Sequence, residues 1–356
     1  FLKKYTDAFG PTSFEDDVAE LMREDLKDIA DETKRCGIGS FIARKTGNPD
    51  GPRIMIAGHM DEIGFMVKGI TKDGYIKVNA LGGWWTHNLL GQKVVIRTRK
   101  GDLITGLFGS KPPHALEAEE RNKVMKLDDM YVDIGVTEET KDLPAELGIE
   151  VGNPMMPLSD FHRMGRDGEM LMAKAWDNRV GCIVAVEVMQ NLVNEKHENI
   201  LYSVGTVQEE VGLRGAGTSA YEIMPDIAFA IDVTLASDIP GSKDAEWGSK
   251  LGNGPSISVI DGSLVPSPHL RDFVVDVAKE CNIPYQYGSL TRGGTDGGRI
   301  ALTGSGCPTL TISIATRYIH AHNGILHADD VKNLTKLLTE VVKRLDRATV
   351  DKIRYR

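Results

Sequence analysis

Apolar residues follow two different spacings along most of this chain, and the two spacings alternate. Segments in which apolar residues recur every three or four positions predict helices. These segments cover residues 13–29, 178–194, 269–283 and 328–345. Short, almost continuous apolar runs predict buried strands. These runs cover residues 53–58, 200–207, 226–232 and 308–315. Since buried strands that alternate with helices are typical of an α/β fold, we predict a mixed, mostly parallel sheet flanked by helices.

The pattern changes between residues 68 and 163. Short runs with alternating apolar and polar residues are separated here by Gly, Pro and Asp turns, which is typical of an all-β structure. Examples of these runs are YIKVNAL, QKVVIRTRKG, DLITGLFG and MYVDIGV. We therefore predict that residues 68–163 form a small β domain inserted into a larger α/β domain, which consists of residues 1–67 and 164–356.

Composition excludes several classes of protein. The net charge is −9 and Lys and Arg are spread along the chain, so no basic patch predicts nucleic-acid binding. No apolar run approaches the roughly 20 residues that span a membrane, and the opening FLKKYTDAFG has no signal-peptide pattern. The cysteines form no C-x-x-C pair and predict reduced thiols, so we expect a cytoplasmic protein. They are Cys36, Cys182, Cys281 and Cys307.

Histidines and acids follow the predicted strands at the point where each strand ends. These residues are His59, Asp61, Glu209, Glu210, Asp232 and His320, and Asp177 stands where an extended segment turns into a helix. In open α/β sheets, ligands bind in the crevice at the carboxyl ends of the strands. A set of imidazoles and carboxylates without thiolates suits zinc, cobalt or manganese. Two imidazoles and three of the carboxylates make five candidate ligands. A single ion needs only three protein ligands, so the set predicts two ions with one bridging carboxylate.

Most of these residues also have a simpler interpretation. Asp61 can reach the ring of His59, because residues two apart in extended backbone share a side, but an H-x-D sequence is also common on surfaces. Asp177 could cap a helix. Asp232 follows a largely apolar run, where an unpaired acid is costly, unless it turns to solvent.

The adjacent acids Glu209 and Glu210 carry the chemical hypothesis. Neighbouring residues of an extended chain point to opposite sides. One acid can therefore bind metal while the other takes a proton from water and returns it to a leaving amine. A pair of solvated surface acids is the alternative. In RYIHAHNGILH, His320 competes with His322 and His327, and spacing does not choose, because His320 and His322 would share a side of an extended segment.

Six short motifs follow one another along the chain: GHMDEIGFMV, AWDNRVG, VQEEVGLRGA, AIDVT, RGGTDGG and RYIHAH. In this order they resemble the tetrahedral aminopeptidase family, which includes glutamyl and deblocking aminopeptidases and some members labelled endoglucanase. The resemblance covers essentially the whole chain, including the β insertion, and it implies a zinc-exopeptidase-like fold.

The resemblance implies a role for each candidate. Glu209 would be the general acid and base, and Asp61 would orient His59. The peptide bond after Asp177 would be cis. Zinc or cobalt would occupy two sites, one held by His59, Asp177 and Asp232 and the other by Asp177, Glu210 and His320.

The resemblance also implies how the protein assembles and what it acts on. Family members form dimers through the β domain and then dodecamers with internal active sites, which suits the trimming of short peptides. Arg292 could attract an acidic first residue or could pair with a surface acid, so glutamyl-like and leucyl-like activities both stay open.

Two other functions compete with a metal-dependent aminopeptidase. One is a glycoside hydrolase, which needs a carboxylate pair and no metal, and the other is a non-catalytic assembly or binding protein.

Overall fold

The computed structural model describes residues 1–115, 117–242 and 246–354. Its helices are α1 (Leu2–Asp7), α2 (Asp16–Leu26), α3 (Ala118–Arg121), α4 (Leu143–Glu146), α5 (Trp176–Asn191), α6 (Arg214–Ile223), α7 (Pro268–Glu280), α8 (Gly297–Ile300), α9 (Ala328–Arg344) and α10 (Arg347–Ile353). Its strands are β1 (Glu32–Arg35), β2 (Phe41–Thr46), β3 (Arg53–His59), β4 (Gly64–Ile70), β5 (Ile76–Leu81), β6 (Lys93–Arg97), β7 (Leu103–Gly109), β8 (Tyr131–Asp133), β9 (Pro154–Pro157), β10 (His162–Met164), β11 (Met170–Ala173), β12 (Ile200–Thr206), β13 (Ile227–Leu235), β14 (Ser256–Asp261), β15 (Gln286–Leu290), β16 (Thr309–Thr316) and β17 (Gly324–His327).

An eight-stranded mixed sheet organises the larger part of the molecule, with the strand order β1-β2-β12-β3-β13-β16-β14-β15. The four central strands β12, β3, β13 and β16 are parallel to one another. Helices α5 and α9 pack on one face, while α6 and α8 pack on the other. Because both faces are covered, β16 is buried along its full length, and this explains its almost continuous apolar and hydroxyl sequence. The predicted α/β fold is confirmed.

One predicted strand end is wrong. The acid at Asp232 does not end its strand, because β13 continues to Leu235 and pairs with β16 as far as Thr316. At this position the strand pairs with β16 alone, since its pairing with β3 ends at Ala230, and the Asp232 carboxylate accepts the amide hydrogen of Val233 at 2.7 Å. An acid inside an apolar strand is compatible with the sheet as long as its side chain has a partner.

The inserted segment folds as a closed barrel with the strand order β4-β5-β8-β7-β6-β9. Phe65, Phe108 and Val132 are among the buried residues of its own apolar core. The predicted small all-β structure is thus confirmed, although the chosen domain boundaries stay a prediction. Strands β10, β11 and β17 form a separate three-stranded sheet. None of the helices in the described part of the chain combines the length and the apolar character that a membrane crossing requires.

Candidate metal centre

The four central parallel strands end at the same edge of the sheet, and each one brings candidate ligands to that edge. His59 is the last residue of β3, Asp232 lies in β13, Glu209 and Glu210 follow β12, and His320 follows β16. Together with Asp177 they line one cleft of about 480 Å3. The structure therefore brings together in one cleft six of the seven residues that the sequence places at this edge, and the seventh, Asp61, lies beside the His59 ring without lining the cleft.

Asp177 lies between the two histidines. Its Oδ1 is 3.0 Å from Nε2 of His59, and its Oδ2 is 3.4 Å from Nε2 of His320. Glu209 Oε2 lies 3.8 Å from the His59 nitrogen, and Glu210 Oε2 lies 3.4 Å from the His320 nitrogen. Each imidazole thus faces one shared carboxylate and one glutamate of its own.

Close packing of glycines places Asp177 beside the sheet. A Cβ atom on Gly58 would lie only 2.3 Å from the carbonyl carbon of Gly181, so helix α5 could not approach β3 as closely with a larger residue there. The peptide bond between Asp177 and Asn178 is cis, as the resemblance implies. The interpretation of Asp177 as a helix cap is not supported, because Asn178 Oδ1 accepts the amide hydrogen of Gly181 instead, at 3.1 Å.

Both histidines present the same ring nitrogen to the acids. Nδ1 of His59 is 3.0 Å from the carbonyl oxygen of Asp61, and Nδ1 of His320 is 2.7 Å from the carbonyl oxygen of Gly83. A carbonyl can only accept, so each Nδ1 donates, and each Nε2 faces the acids of the cleft, where it can bind a metal ion once it is deprotonated. The Asp61 carboxylate lies further from the His59 ring, at 3.5 Å.

The Asp61 carboxylate has a second contact that the sequence did not suggest. It accepts the amide hydrogens of Glu209 at 3.0 Å and Glu210 at 3.2 Å, and the hydroxyl of Thr12 at 2.8 Å. Glu15 accepts the preceding amide, that of Gln208, at 3.1 Å. Two buried carboxylates therefore hold three consecutive amides of the segment that bears the paired acids.

This segment is a turn, which corrects the extended geometry predicted for Glu209 and Glu210. The strand β12 ends at Thr206, Gln208 has a φ of +57°, and the amides of Gly212 and Leu213 both donate to the carbonyl of Glu209. The two acids are separated by the turn rather than by strand alternation. The amide contacts that fix it come from residues far away in sequence.

The electrostatics of the cleft reflect an excess of acids. Burial and the nearby charge of Asp177 raise the pKa of Glu210 to about 8, and burial likewise raises the pKa values of Glu209 and Asp232 well above their usual range. Burial opposes the protonation of His320, but the carboxylates of Asp177 and Glu210 raise its pKa to about 9. Among the described residues, Glu210 Oε1 is buried and has no hydrogen-bond partner. The cleft has more carboxylates than imidazoles, so divalent cations fit its donors.

Two subsets of the cluster are close enough to hold an ion, with ligand atoms within 4.8 Å of one another. One consists of His59, Glu209 and Asp232, and the other of His59, Asp177 and Glu210. The nitrogen and oxygen donors of both sets suit zinc or a similar divalent ion. The donor chemistry therefore fits a divalent ion. Both subsets contain His59, one contains Glu209 and neither contains His320, so they differ from the two ligand sets that the resemblance implies.

Sequence reasoning missed a buried ionic cluster beneath the site. Glu62 accepts hydrogen bonds from Lys174 at 2.7 and 2.9 Å and from Arg179 at 3.0 Å. Arg179 also donates to the carbonyls of Tyr5 and Ala8. The cluster thus connects Glu62, which follows His59 in the chain, with Lys174 and Arg179, which precede and follow Asp177. The sequence offered one signal of this cluster, because the charged residue Arg179 stands inside the apolar run of α5.

Asp296 is a second buried acid behind the cleft. The hydroxyl of Thr206 donates to its Oδ2, and Oδ1 has no partner among the described residues. Burial raises the pKa of Asp296 to about 6. The sequence indicates a helix beginning after this residue, and α8 begins at Gly297, but the contact with β12 is non-local and could not be predicted.

His322 and Arg292 complete the set of candidates. The ring of His322 is buried against Trp84 of the barrel and does not line the cleft, whereas His320 does. Arg292 lies at the cleft and is exposed, and no hydrogen bond or ion pair holds its guanidinium within the part of the chain that the structure describes. Its side chain is therefore available to a ligand in the cleft.

Comparison with known proteins agrees with the geometry. Residues 39–337 match the family model described as M42 glutamyl aminopeptidase. The chain is 34% identical to the lysyl aminopeptidase of Pyrococcus furiosus, over 97% of both chains. It is 43% identical to the TET aminopeptidase of a marine sediment archaeon, Thaumarchaeota archaeon SCGC AB-539-E09, with a TM-score of 0.95 over 99% of this chain and 98% of the other.

A further structural neighbour is the Pyrococcus horikoshii TET1 peptidase, which is described as assembling into a tetrahedron or a large octahedral shell. It is 32% identical, with a TM-score of 0.85 over 97% of this chain and 98% of the other. These matches confirm the resemblance that the six motifs indicate. The chain therefore belongs to the M42 glutamyl aminopeptidase family and is a peptide hydrolase.

Proposed function

We propose that this protein is a dinuclear metal-dependent aminopeptidase that removes N-terminal residues from short peptides. The observation that carries the proposal is the position of the Asp177 carboxylate, with one oxygen towards His59 and the other towards His320. A carboxylate in this position suits a bridging ligand. Glu209 and Glu210 lie on the two sides of the same arrangement.

The protein residues would hold the ions in two groups that share Asp177. When bound, zinc or cobalt ions lower the pKa of a water molecule and polarise the scissile carbonyl. The fit rests on the nitrogen and oxygen donors, the buried orphan oxygen of Glu210 and the surplus of acids. The proposed ligands are His59, Asp177 and Asp232 for one ion, and Asp177, Glu210 and His320 for the other.

Glu209 would act as the general base and acid. Its carboxylate takes a proton from the attacking water and then delivers it to the nitrogen of the leaving amine. Burial raises the pKa of Glu209, and bound cations beside it would favour the carboxylate that the first step requires. Asp61 fixes the turn through the amides of Glu209 and Glu210, and its backbone carbonyl fixes the ring of His59.

The substrate would enter the cleft with its amino terminus first. Free acidic side chains around the ions could bind the α-amino group, while Leu235, Leu290 and Ile319 offer an apolar wall for the first side chain. Arg292 adds one exposed positive charge. Acidic and aliphatic first residues both suit this lining, and the lysyl relative shows that specificity differs among similar chains.

A panel of amino-acid anilides tests the proposal. The wild-type protein should contain two divalent ions per subunit, should hydrolyse at least one anilide, and should lose this activity on chelation and regain it with zinc or cobalt. Activity that survives complete metal removal would disprove the metal-dependent mechanism. Tightly bound metal without hydrolysis of any anilide or short peptide would favour the non-catalytic alternative.

The same panel tests Arg292. If its charge selects acidic first residues, R292A should lose activity on glutamyl and aspartyl anilides while it retains activity on leucyl anilide. R299A is the matched control, because Arg299 is also exposed and follows the same glycine-rich segment but does not line the cleft. An equal effect of R292A on all anilides would leave the apolar wall as the determinant.

We also propose a homo-oligomer in which residues 68–163 form the dimerisation domain of a catalytic domain made of residues 1–67 and 164–356. The TET1 neighbour supports a large closed assembly. Dimers that assemble into a dodecamer would place the active sites inside a shell and restrict them to short peptides. Light scattering coupled to size-exclusion chromatography tests this, and a stable monomer would contradict it.

A further inference from the structure

The barrel makes three contacts with the loop that carries His320. The first is the 2.7 Å hydrogen bond from His320 Nδ1 to the carbonyl of Gly83. The second is the packing of the His322 ring on the Trp84 ring, with centroids 5.5 Å apart. His322 Nε2 also lies 3.2 Å from the carbonyl of Lys93 at the start of β6. Two neighbouring barrel residues thus hold two nearly adjacent residues of the ligand loop.

Trp84 is itself fixed within the barrel. Its indole nitrogen donates to the carbonyl of Gly64 at 3.0 Å, and its ring stacks on Phe65 with centroids 4.8 Å apart. Phe65 is fully buried and in turn packs edge-on against Phe108. The barrel core therefore fixes the position of the indole, and the indole in turn fixes the position of the His322 ring.

The His320 loop needs such a contact more than the other ligand segments do. His320 and Tyr318 have φ values of +58° and +63°, and the loop lies beyond the end of β16, where a bridge between Arg317 and Ile325 closes its base. The His320 side chain is 38% exposed, compared with 1% for His59. Left-handed residues in an exposed loop have alternatives of similar energy, so a fixed orientation requires external contacts.

The approach between barrel and ligands is close enough to require small residues. A Cβ atom on Gly82 would lie 2.5 Å from Ile63 Cγ2 and 3.3 Å from Glu210 Cβ, and one on Gly83 would lie 3.2 Å from His320 Nδ1. The sequence GGWW therefore combines two glycines that allow contact with one tryptophan that fixes it. The second tryptophan, Trp85, is 61% exposed and packs on His87 instead.

We propose that Trp84 is a positioning residue for His320, so that the barrel completes the metal site on the side of Glu210 and His320. This inference rests on the proposed metal-dependent function. Trp84 does not touch the cleft. It acts through His322 and the Gly83 carbonyl, which keep the His320 ring in the orientation that presents Nε2 to Asp177 and Glu210.

The test compares W84A with W85A, its matched control in the neighbouring position. The metal-free proteins are titrated with Co²⁺, and calorimetry and the visible absorption of cobalt report each binding event and its coordination. Outer contacts to metal-binding histidines typically contribute about 10- to 100-fold in affinity. We expect W84A to bind one ion as the wild type does and the other about 10- to 100-fold more weakly, and W85A to bind both as the wild type does.

Two further measurements separate positioning from damage to the fold. Excess Co²⁺ should restore the kcat of W84A, because the weakened ion can be forced back. H322A should weaken the same ion, and the double variant should be no worse than W84A, since both side chains act through one contact. H322A also serves as the test if W84A does not fold, because His322 lies on the ligand loop and not in the barrel core.

Each outcome has a distinct meaning. A wild type that binds no divalent ions overturns the proposed function itself. A wild type that binds two ions, together with a folded W84A or an H322A that binds both with unchanged affinity, overturns only the role of Trp84. Equal losses in W84A and W85A, or fully additive losses in the double variant, also overturn it.

Discussion

The two halves of the candidate metal centre are held in different ways. The strand half, His59 and Asp232, projects from central strands of the sheet and is almost fully buried. The loop half, Glu210 and His320, lies on a turn and a loop whose conformations depend on contacts from elsewhere. Asp177 connects the halves through its two oxygens.

The geometry of each half is therefore fixed by a different part of the structure. The strand half takes its geometry from the parallel ladders and from the apolar core beneath them, so local sequence pattern already predicts it. The loop half takes its geometry from Asp61, Glu15 and the barrel residues around Gly83. We therefore expect changes outside the ligand set to act mainly on the loop half.

The largest expected effect is the loss of kcat in E209Q, which removes proton transfer without removing metal binding. In E209Q the amide has nearly the shape of the carboxylate but cannot take and return a proton. We expect kcat on the best anilide to fall by about 10²- to 10⁴-fold, with metal content unchanged. The matched variant E210Q should instead lose the ion of the loop half. An E209Q enzyme with wild-type kcat would refute the acid/base role.

The next prediction concerns the buried cluster under the strand half. E62Q leaves the charges of Lys174 and Arg179 without their carboxylate partner in a buried site. Breaking a buried ion pair in this way costs about 3–5 kcal/mol of unfolding free energy. Urea denaturation followed by circular dichroism measures this loss.

The chain offers a matched control for that measurement. Glu138 accepts from Lys141 at 2.7 Å, the same distance as in the Glu62–Lys174 pair, but its side chain is 88% exposed instead of 2%. E138Q should change the unfolding free energy by no more than about 0.5 kcal/mol. Similar losses in E62Q and E138Q would show that the buried cluster contributes little beyond a surface pair.

Removal of metal should distinguish the halves directly. Because His320 is far more exposed than His59, we expect a chelator to remove the ion of the loop half first, and the ion of the strand half more slowly. Stopped-flow cobalt absorption should show two phases in the wild type, and H320A should lack the fast phase. A single phase in the wild type would contradict the distinction between the halves.

The smallest expected effect concerns the turn that carries the paired acids. E15Q keeps an oxygen for the amide of Gln208 but removes the charge that strengthens this contact. Charge-assisted hydrogen bonds are roughly twice as strong as neutral ones, so we expect a reduction in kcat of about tenfold or less. D16N is the control, because Asp16 is adjacent but exposed and pairs with Arg35. An effect of D16N as large as that of E15Q would place the cause in helix α2 rather than in the turn.

The sequence predicts which strands bring the candidate ligands to one sheet edge, but it predicts neither the exact end of β13 nor the turn of the loop half. Apolar runs and the residues after them are local features, so the positions of His59, Glu209 and His320 near one sheet edge follow from pattern and from the parallel topology. The turn at Gln208 was missed, because its amide partners Glu15 and Asp61 lie far away in the chain. The exact end of β13 was also missed, since a carboxylate inside a strand is indistinguishable from one at its end until its neighbours are known.

Long-range ionic contacts show the same limit. Glu62 is separated from Lys174 by 112 positions and from Arg179 by 117. No local spacing connects such residues. Glu62 and Lys174 each have the sequence signature of a surface charge, and the position of Arg179 inside the apolar run of α5 indicates burial without indicating a partner. The contact of Trp84 with His322 is equally non-local, and the doubled tryptophan gave no indication of which ring is fixed and which is exposed.

The order of the ligands along the chain has a consequence for biosynthesis. The candidate ligands begin at His59 and end at His320, so a growing polypeptide carries most of its acids long before the last imidazole leaves the ribosome. Synthesis proceeds at about 5–20 residues per second, and the strand half is therefore complete for several seconds before His320 completes the loop half. Metal acquisition would then follow the direction of translation, with the buried ion entering first and the barrel already folded when His320 arrives to meet it.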